Sequence, residues 1–341
     1  MCMYNLIYYD TFDSQQQQQL DASKWSPVWG KFYSDKGTQM QFTDKNIFAR
    51  IGLELYATVA TGADAEKAPF LSAMVSTRKP DNGEILFQVK GQFILSVDAT
   101  LPDGPSSWSR IWMTGTKGSW PACGEIDVLE ARGWQHKDYQ MGVHNPRAGE
   151  STKSQQHQKM LGQTQSTLKP SYYGSHRHTY SVVKLNDRVD FYLDTELVHT
   201  VMYSEMDDPT PFTDPENGWI INLSHIVGGS FLEYNGNREY VDATKYAKNP
   251  DYPSKLWIDK LSVISLDEQG PALNTGERTL LSILNNYKDV KPTPPVVAQP
   301  TPEPPVVVTP TPTPSPVPKP KGERAKGDWV REEDALVFIM L

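Results

Sequence analysis

The sequence predicts an all-β fold, a sandwich of two antiparallel sheets of jelly-roll type, on three observations. Short runs with period-2 alternation or β-branched and aromatic enrichment recur through residues 1–268. Turn signals separate these runs. No long 3.6-residue period with caps interrupts them. Many short strands without helical crossovers are what a two-sheet sandwich requires.

The runs follow in chain order. In Ile47–Val59, Leu53, Leu55 and Ala57 alternate with Glu54, Tyr56 and Thr58. Glu84–Ala99 is rich in Ile, Leu, Phe and Val, and Tyr180–Lys184 is rich in Val. Val189–Leu193 alternates Val189, Phe191 and Leu193 with polar partners, and Trp219–Leu223 is a short apolar run. Leu256–Leu266 closes the domain. The punctuation is Pro80-Asp-Asn-Gly83, Pro102-Asp-Gly-Pro105, Asn217-Gly218 and Asn235-Gly236. The Gln15–Gln19 run reads as a surface loop.

Three further segments follow the domain. Residues 269–290 form a short helical appendix, with an amphipathic pattern around Thr279–Tyr287. Residues 291–321 are a Pro/Thr/Val-rich linker, with thirteen prolines between Pro292 and Pro320. Such a chain has no core to bury and extends as polyproline II, on the order of 90 Å end to end. Residues 322–341 are a tail ending in Ala335-Leu-Val-Phe-Ile-Met-Leu341, too short to cross a bilayer; it reads first as a sticky terminus or the start of a further module, with attachment as the functional alternative.

Composition narrows the partner. The 341 residues carry a formal charge of −8 and no Lys/Arg-rich run, which excludes nucleic acid and an anionic membrane as main partners. No run of 18 apolar residues exists to span a membrane. The 9 Trp, 16 Tyr and 11 Phe without net positive charge fit a neutral ligand with flat apolar faces, such as a sugar. Only Cys2 and Cys123 occur, so a disulfide framework and a four-cysteine zinc site are excluded. The first ten residues lack the basic region and apolar length of a signal peptide. Export and action inside a host or algal cell therefore stand as alternatives.

The chemistry lies in Trp120-Pro-Ala-Cys-Gly-Glu125-Ile-Asp127-Val-Leu-Glu130-Ala-Arg-Gly133. On a regular strand Glu125 and Asp127 share one face, whereas Glu130 would point into the core and Leu129 out of it. One extra residue between Asp127 and Glu130, a β-bulge, returns Glu130 to the acidic face and Leu129 to the interior. Acids on an exposed strand face would be the bland reading. Three like charges without a lysine are costly there, which weighs against it. Cleaving a glycosidic bond with retention requires two carboxyl groups about 5–5.5 Å apart. A third acid between them can hydrogen-bond one and raise the other's pKa.

This segment resembles the signature of glycoside hydrolase family 16 in its Glu-x-Asp-x-x-Glu form, close to the pattern of the laminarinases. The likeness extends to Leu20–Trp25, to Ser109-Arg-Ile-Trp-Met113, and to His176–Tyr180 with Val189–Asp194. It also takes in Ile220–Leu223, Val227–Phe231 and Leu256–Val263. The resemblance implies a concanavalin A-like jelly roll with a concave substrate cleft, acting as a monomer on β-glucan polysaccharide. It implies endo-hydrolysis of β-1,3-glucosidic bonds with retention. Alternatives on the same fold are another β-glycan (mixed-linkage glucan, agarose or carrageenan) or a non-catalytic glucan-binding protein.

By the resemblance Glu125 is the nucleophile, Asp127 its assistant and Glu130 the general acid/base. Trp112 and Trp120 match cleft tryptophans, His144 a strand histidine near the acids, and Arg132 a substrate-binding position. No cofactor is implied for catalysis. A structural calcium is implied, with Asp259 as a ligand. Asn222–Gly229 is two residues longer than the family pattern and is expected to alter a cleft-edge loop, together with 233–253.

Overall fold

The computed structural model describes residues 5–13, 19–29, 32–35, 38–102, 107–133, 138–162, 176–227, 246–248 and 252–266. The appendix, linker and tail (269–341), the turn at Asn235, Trp134 and most of the glutamine run lie outside the described residues. The strands in order are β1 (Asn5–Asp10), β2 (Ser26–Pro27), β3 (Phe32–Asp35), β4 (Thr38–Phe42), β5 (Ile47–Arg50) and β6 (Gly52–Val59). There follow β7 (Phe70–Ser76), β8 (Phe93–Thr100), β9 (Ser107–Gly115), β10 (Glu125–Arg132), β11 (Asp138–Arg147) and β12 (Glu150–Gly162). The last are β13 (His178–Lys184), β14 (Arg188–Leu193), β15 (Glu196–Met202), β16 (Trp219–Val227) and β17 (Ser254–Ser265).

These strands form the two antiparallel sheets of a jelly roll. The front sheet runs β2-β7-β16-β9-β10-β11-β12. The back sheet runs β5-β6-β17-β8-β13-β14-β15, with β1 beside β17. A short pairing of β6 with β7 joins the sheets, and β4 adds the one parallel pairing described, against β7.

Alternation explains why the sheets stack. Ile111 and Met113 of β9, Ile126 and Leu129 of β10, and Ile221 and Leu223 of β16 turn inward. They meet Leu53, Leu55, Leu95, Val97, Leu256 and Val263 of the back sheet in one core. Burying each such side chain stabilises the fold by about 1.5–3 kcal/mol. The intervening residues of β9, β10 and β16 are thereby turned to the outer face of the front sheet. That face carries the acids.

Several expected strands are redrawn. Ile47–Val59 is two strands, because Gly52 (φ +94°) turns the chain back and an added Cβ there would lie 2.8 Å from the Ile258 carbonyl oxygen. Only the second half of Glu84–Ala99 is a strand, and its first half makes isolated bridges at Ile85 and Val89. Leu20–Trp25 is a turn, held by the buried Trp25 indole N–H on Asp10 Oδ2 at 3.0 Å. Asn222–Val227 is uninterrupted strand, and the cleft-edge loop expected beyond it lies outside the described residues. In the strand His225 is locked inside, with Nδ1 3.0 Å from Ser109 Oγ and Nε2 2.9 Å from Ser254 Oγ.

Candidate active site

The bulge falls inside β10. Asp127 pairs with Trp112 and Leu129 with Ile111, so Val128 is the extra residue against β9. The register against β11 shifts at the same place, between Asp127 and Glu130. Glu125, Asp127 and Glu130 all reach the outer face, and all three are buried.

The turn before β10 is held by packing and hydrogen bonds. The Asn217 amide donates to the carbonyls of Cys123 (3.0 Å) and Pro211 (2.8 Å) and accepts from the backbone of Thr116 and Lys117 (both 3.0 Å). Gly124 enters β10 at φ +77°, and a Cβ there would lie 2.8 Å from Pro211 Cβ and 3.0 Å from the Trp219 ring. Gly124→Ala is therefore expected to destabilise the domain by about 2–4 kcal/mol, from backbone strain and overpacking together. A lowered denaturation midpoint checks it; an unchanged midpoint would show that the turn relaxes freely.

Arg110 joins the acids. It faces Glu130 across the β9–β10 pairing and lies on the side of β9 that carries Trp108 and Trp112. Its Nη2 donates to Glu125 Oε1 at 2.6 Å and to Asp127 Oδ1 at 2.9 Å, and its Nε lies 3.0 Å from Glu130 Oε1. The guanidinium rests over the Trp112 ring at 4.2 Å and near Trp108 at 5.0 Å from the centroids. From the other side, His144 of β11 faces Glu125, and its Nε2 lies 3.2 Å from Asp127 Oδ2. Its Nδ1 is held 2.9 Å from Ser154 Oγ, and Gln158 Nε2 lies 3.3 Å from its Nε2.

These contacts divide the protons. Burial would raise Asp127, but the His144 hydrogen bond and the Arg110 charge outweigh it and hold the carboxyl at about 2. Burial would also discharge His144, yet its bond to Asp127 and the nearby carboxylates lift it to about 9. Burial, then the Asp127 charge, raises both Glu125 and Glu130 to about 7. Of these two, Glu125 alone accepts hydrogen bonds from both Arg110 and the Trp120 indole N–H (2.5 Å). The donors favour its ionised form, so the proton shared by the pair belongs on Glu130. With one proton there, the two cations balance the two remaining carboxylates.

The remaining expected residues fall in different places. Trp120 meets Glu125 through its indole N–H, and its ring, half-buried, lies 5.8 Å from that of His144. The Trp112 Nε1 is buried with no hydrogen-bond partner among the described residues. Arg132 continues the acidic face two residues beyond Glu130, opposite Trp108, at the margin of the cluster. Tyr139 and Trp219 are core residues. The Asp259 carboxylate faces the Arg177 guanidinium at 3.6 Å, and a calcium there would need further oxygens, since that ion takes six to eight. Among the described residues no group of three or more His, Cys, Asp or Glu side chains converges to hold a metal.

Sequence reasoning missed Arg110, Ser154 and Gln158. The signal for Arg110 was its alternation with Trp108 and Trp112, which puts it on the tryptophan face.

Fold and cluster together describe a two-sheet jelly roll with three carboxylates gathered on the outer face of one sheet. Residues 82–184 match the family model "XgeA-like, catalytic GH16 domain". The chain is 24% identical over 284 residues to glucan endo-1,3-beta-glucosidase A1 of Niallia circulans, covering 76% of this chain and 37% of that protein. It is 25% identical over 218 residues to endo-1,3-1,4-beta-glycanase ExsH of Rhizobium meliloti, covering 60% and 41%. The match thus spans about two fifths of these relatives. The laminarinase catalytic domain from Thermotoga maritima superposes with a TM-score of 0.60 at 22% identity, covering 77% of this chain and 98% of that one.

Proposed function

We propose that this domain hydrolyses internal β-1,3-glucosidic bonds of β-glucans such as laminarin, with retention through a glycosyl-enzyme intermediate. The observation that carries the reading is the set of three buried carboxylates brought to one face by the Val128 bulge. The names of the relatives supply the substrate class. Glu125 attacks the anomeric carbon while Glu130 protonates the departing oxygen; Glu130 then takes a proton from the water that releases the sugar. Asp127 stays ionised against His144 and keeps Glu125 in register. The unpartnered Trp112 indole N–H is a donor available to a sugar hydroxyl. A cluster whose charges balance suits a neutral glycan better than a sulfated one, since an anion would meet three carboxyl groups.

Mixed β-1,3-1,4-glucan is the second reading, favoured by the likeness to ExsH. Laminarin, lichenan, agarose and carrageenan assayed side by side decide between them. The proposal expects rapid chain shortening of laminarin. Preferential cleavage of lichenan would favour the second reading, and cleavage of agarose or carrageenan alone would contradict both. The division into catalytic domain, appendix, linker and attachment tail remains part of the proposal.

A further inference from the structure

We propose that Arg110 is the positioning residue that leaves the carboxylate trio with a single proton, carried by Glu130. The inference rests on the roles proposed for Glu125 and Glu130. Its basis is contact geometry: one guanidinium touches Glu125 at 2.6 Å, Asp127 at 2.9 Å and Glu130 at 3.0 Å. Among the described residues no other side chain forms an ion pair with all three acids. The tryptophans on either side hold its plane over the face of the sheet.

Among the described residues the charged groups around it are few. On β10 they are the three acids and, farther along, Arg132; on β11 there is His144. From β16 the facing residues are Ser224 and Asn222, both uncharged, while His225 is engaged with Ser109 and Ser254. His144 is spoken for by Asp127. Both cations favour an ionised Glu125, and of the two Arg110 is the one in ion-pair contact with it. Without Arg110, two buried glutamates beside an ionised aspartate would each hold a proton well above neutrality, and a protonated Glu125 cannot attack. Arg110 also shapes the site, because its Nη2 and Nε contact Glu125 and Glu130 at once. Lysine could supply the charge but not that bridge.

Arg110→Met, Arg110→Lys and the parent are compared by two readouts. One is the pH profile of kcat/KM on laminarin; the other is the carboxyl titration of Glu125 and Glu130 by carbon NMR with labelled glutamate. An opposite charge at this distance lowers a carboxyl pKa by about 1–3 units. In Arg110→Met the acidic limb and the Glu125 titration should both move up by that amount, and kcat/KM near pH 6 should fall about 10- to 10³-fold. Arg110→Lys should recover much of the limb position. Unmoved titrations in a folded Arg110→Met protein would overturn the proposal. So would a rise in kcat/KM, which would mark the guanidinium as an obstruction. Should the parent cleave none of the glycans, the carboxyl titrations still decide the point, and that failure belongs to the proposed function alone.

Discussion

Glu125→Gln is expected to lower laminarin hydrolysis by at least about 10⁴-fold while leaving the fold intact. The amide keeps the shape of the carboxyl group and can still meet Trp120 or Arg110 through its oxygen. It cannot form the glycosyl ester. The sharper form of the test is Glu125→Ala with added azide and an activated β-glycoside. Azide then enters directly at the anomeric carbon and gives the α-azide, by a single displacement. A Glu125→Gln protein that turns over at the parental rate would remove Glu125 from the mechanism. The same chemistry predicts that a 2-fluoro β-glycoside labels the peptide bearing Glu125.

The second large effect is at Glu130. Glu130→Gln should cost about 10²–10⁴-fold on a polysaccharide, whose leaving group needs the proton, and much less on a glycoside with a good leaving group. Its pH profile carries the sign. Burial and the Asp127 charge raise Glu130 to about 7, so the acid form is present below that value and lost above it. In the parent, kcat/KM should therefore fall as the pH rises through about 7, and in Glu130→Gln that basic limb should vanish. Azide added to Glu130→Ala should give the β-azide, because Glu125 still forms the intermediate. A basic limb that survives in Glu130→Gln would assign the proton to another group.

Much of this site was legible in the sequence because strand geometry is simple. Leu129 and Glu130 stand in the wrong order for a regular strand, and a single inserted residue repairs both. The structure places that residue at Val128. The long closing strand and the β13–β14 hairpin were visible by their alternation. What escaped was set by contacts distant in sequence. The break at Gly52 depends on Trp257 and Ile258, some two hundred residues away, which pack against it. Nothing in the sequence marks His225 as enclosed until Ser109 and Ser254 meet its ring. Arg110 looks like an ordinary polar position until β9 lies beside β10 and three carboxylates meet its guanidinium. The contact of the Trp120 indole N–H with Glu125 likewise appears only once the turn before β10 is folded.

The central claim is that one bulged strand supplies both carboxyl groups of a retaining β-glucanase. It is tested most directly by proton NMR of the first product released from laminarin, read before mutarotation. Retention predicts the β-anomer as the initial reducing end, equilibrating later with the α form. An initial α-anomer would require an inverting arrangement, with the two carboxyl groups far enough apart to admit water, and would contradict the assignment of Glu125 as nucleophile.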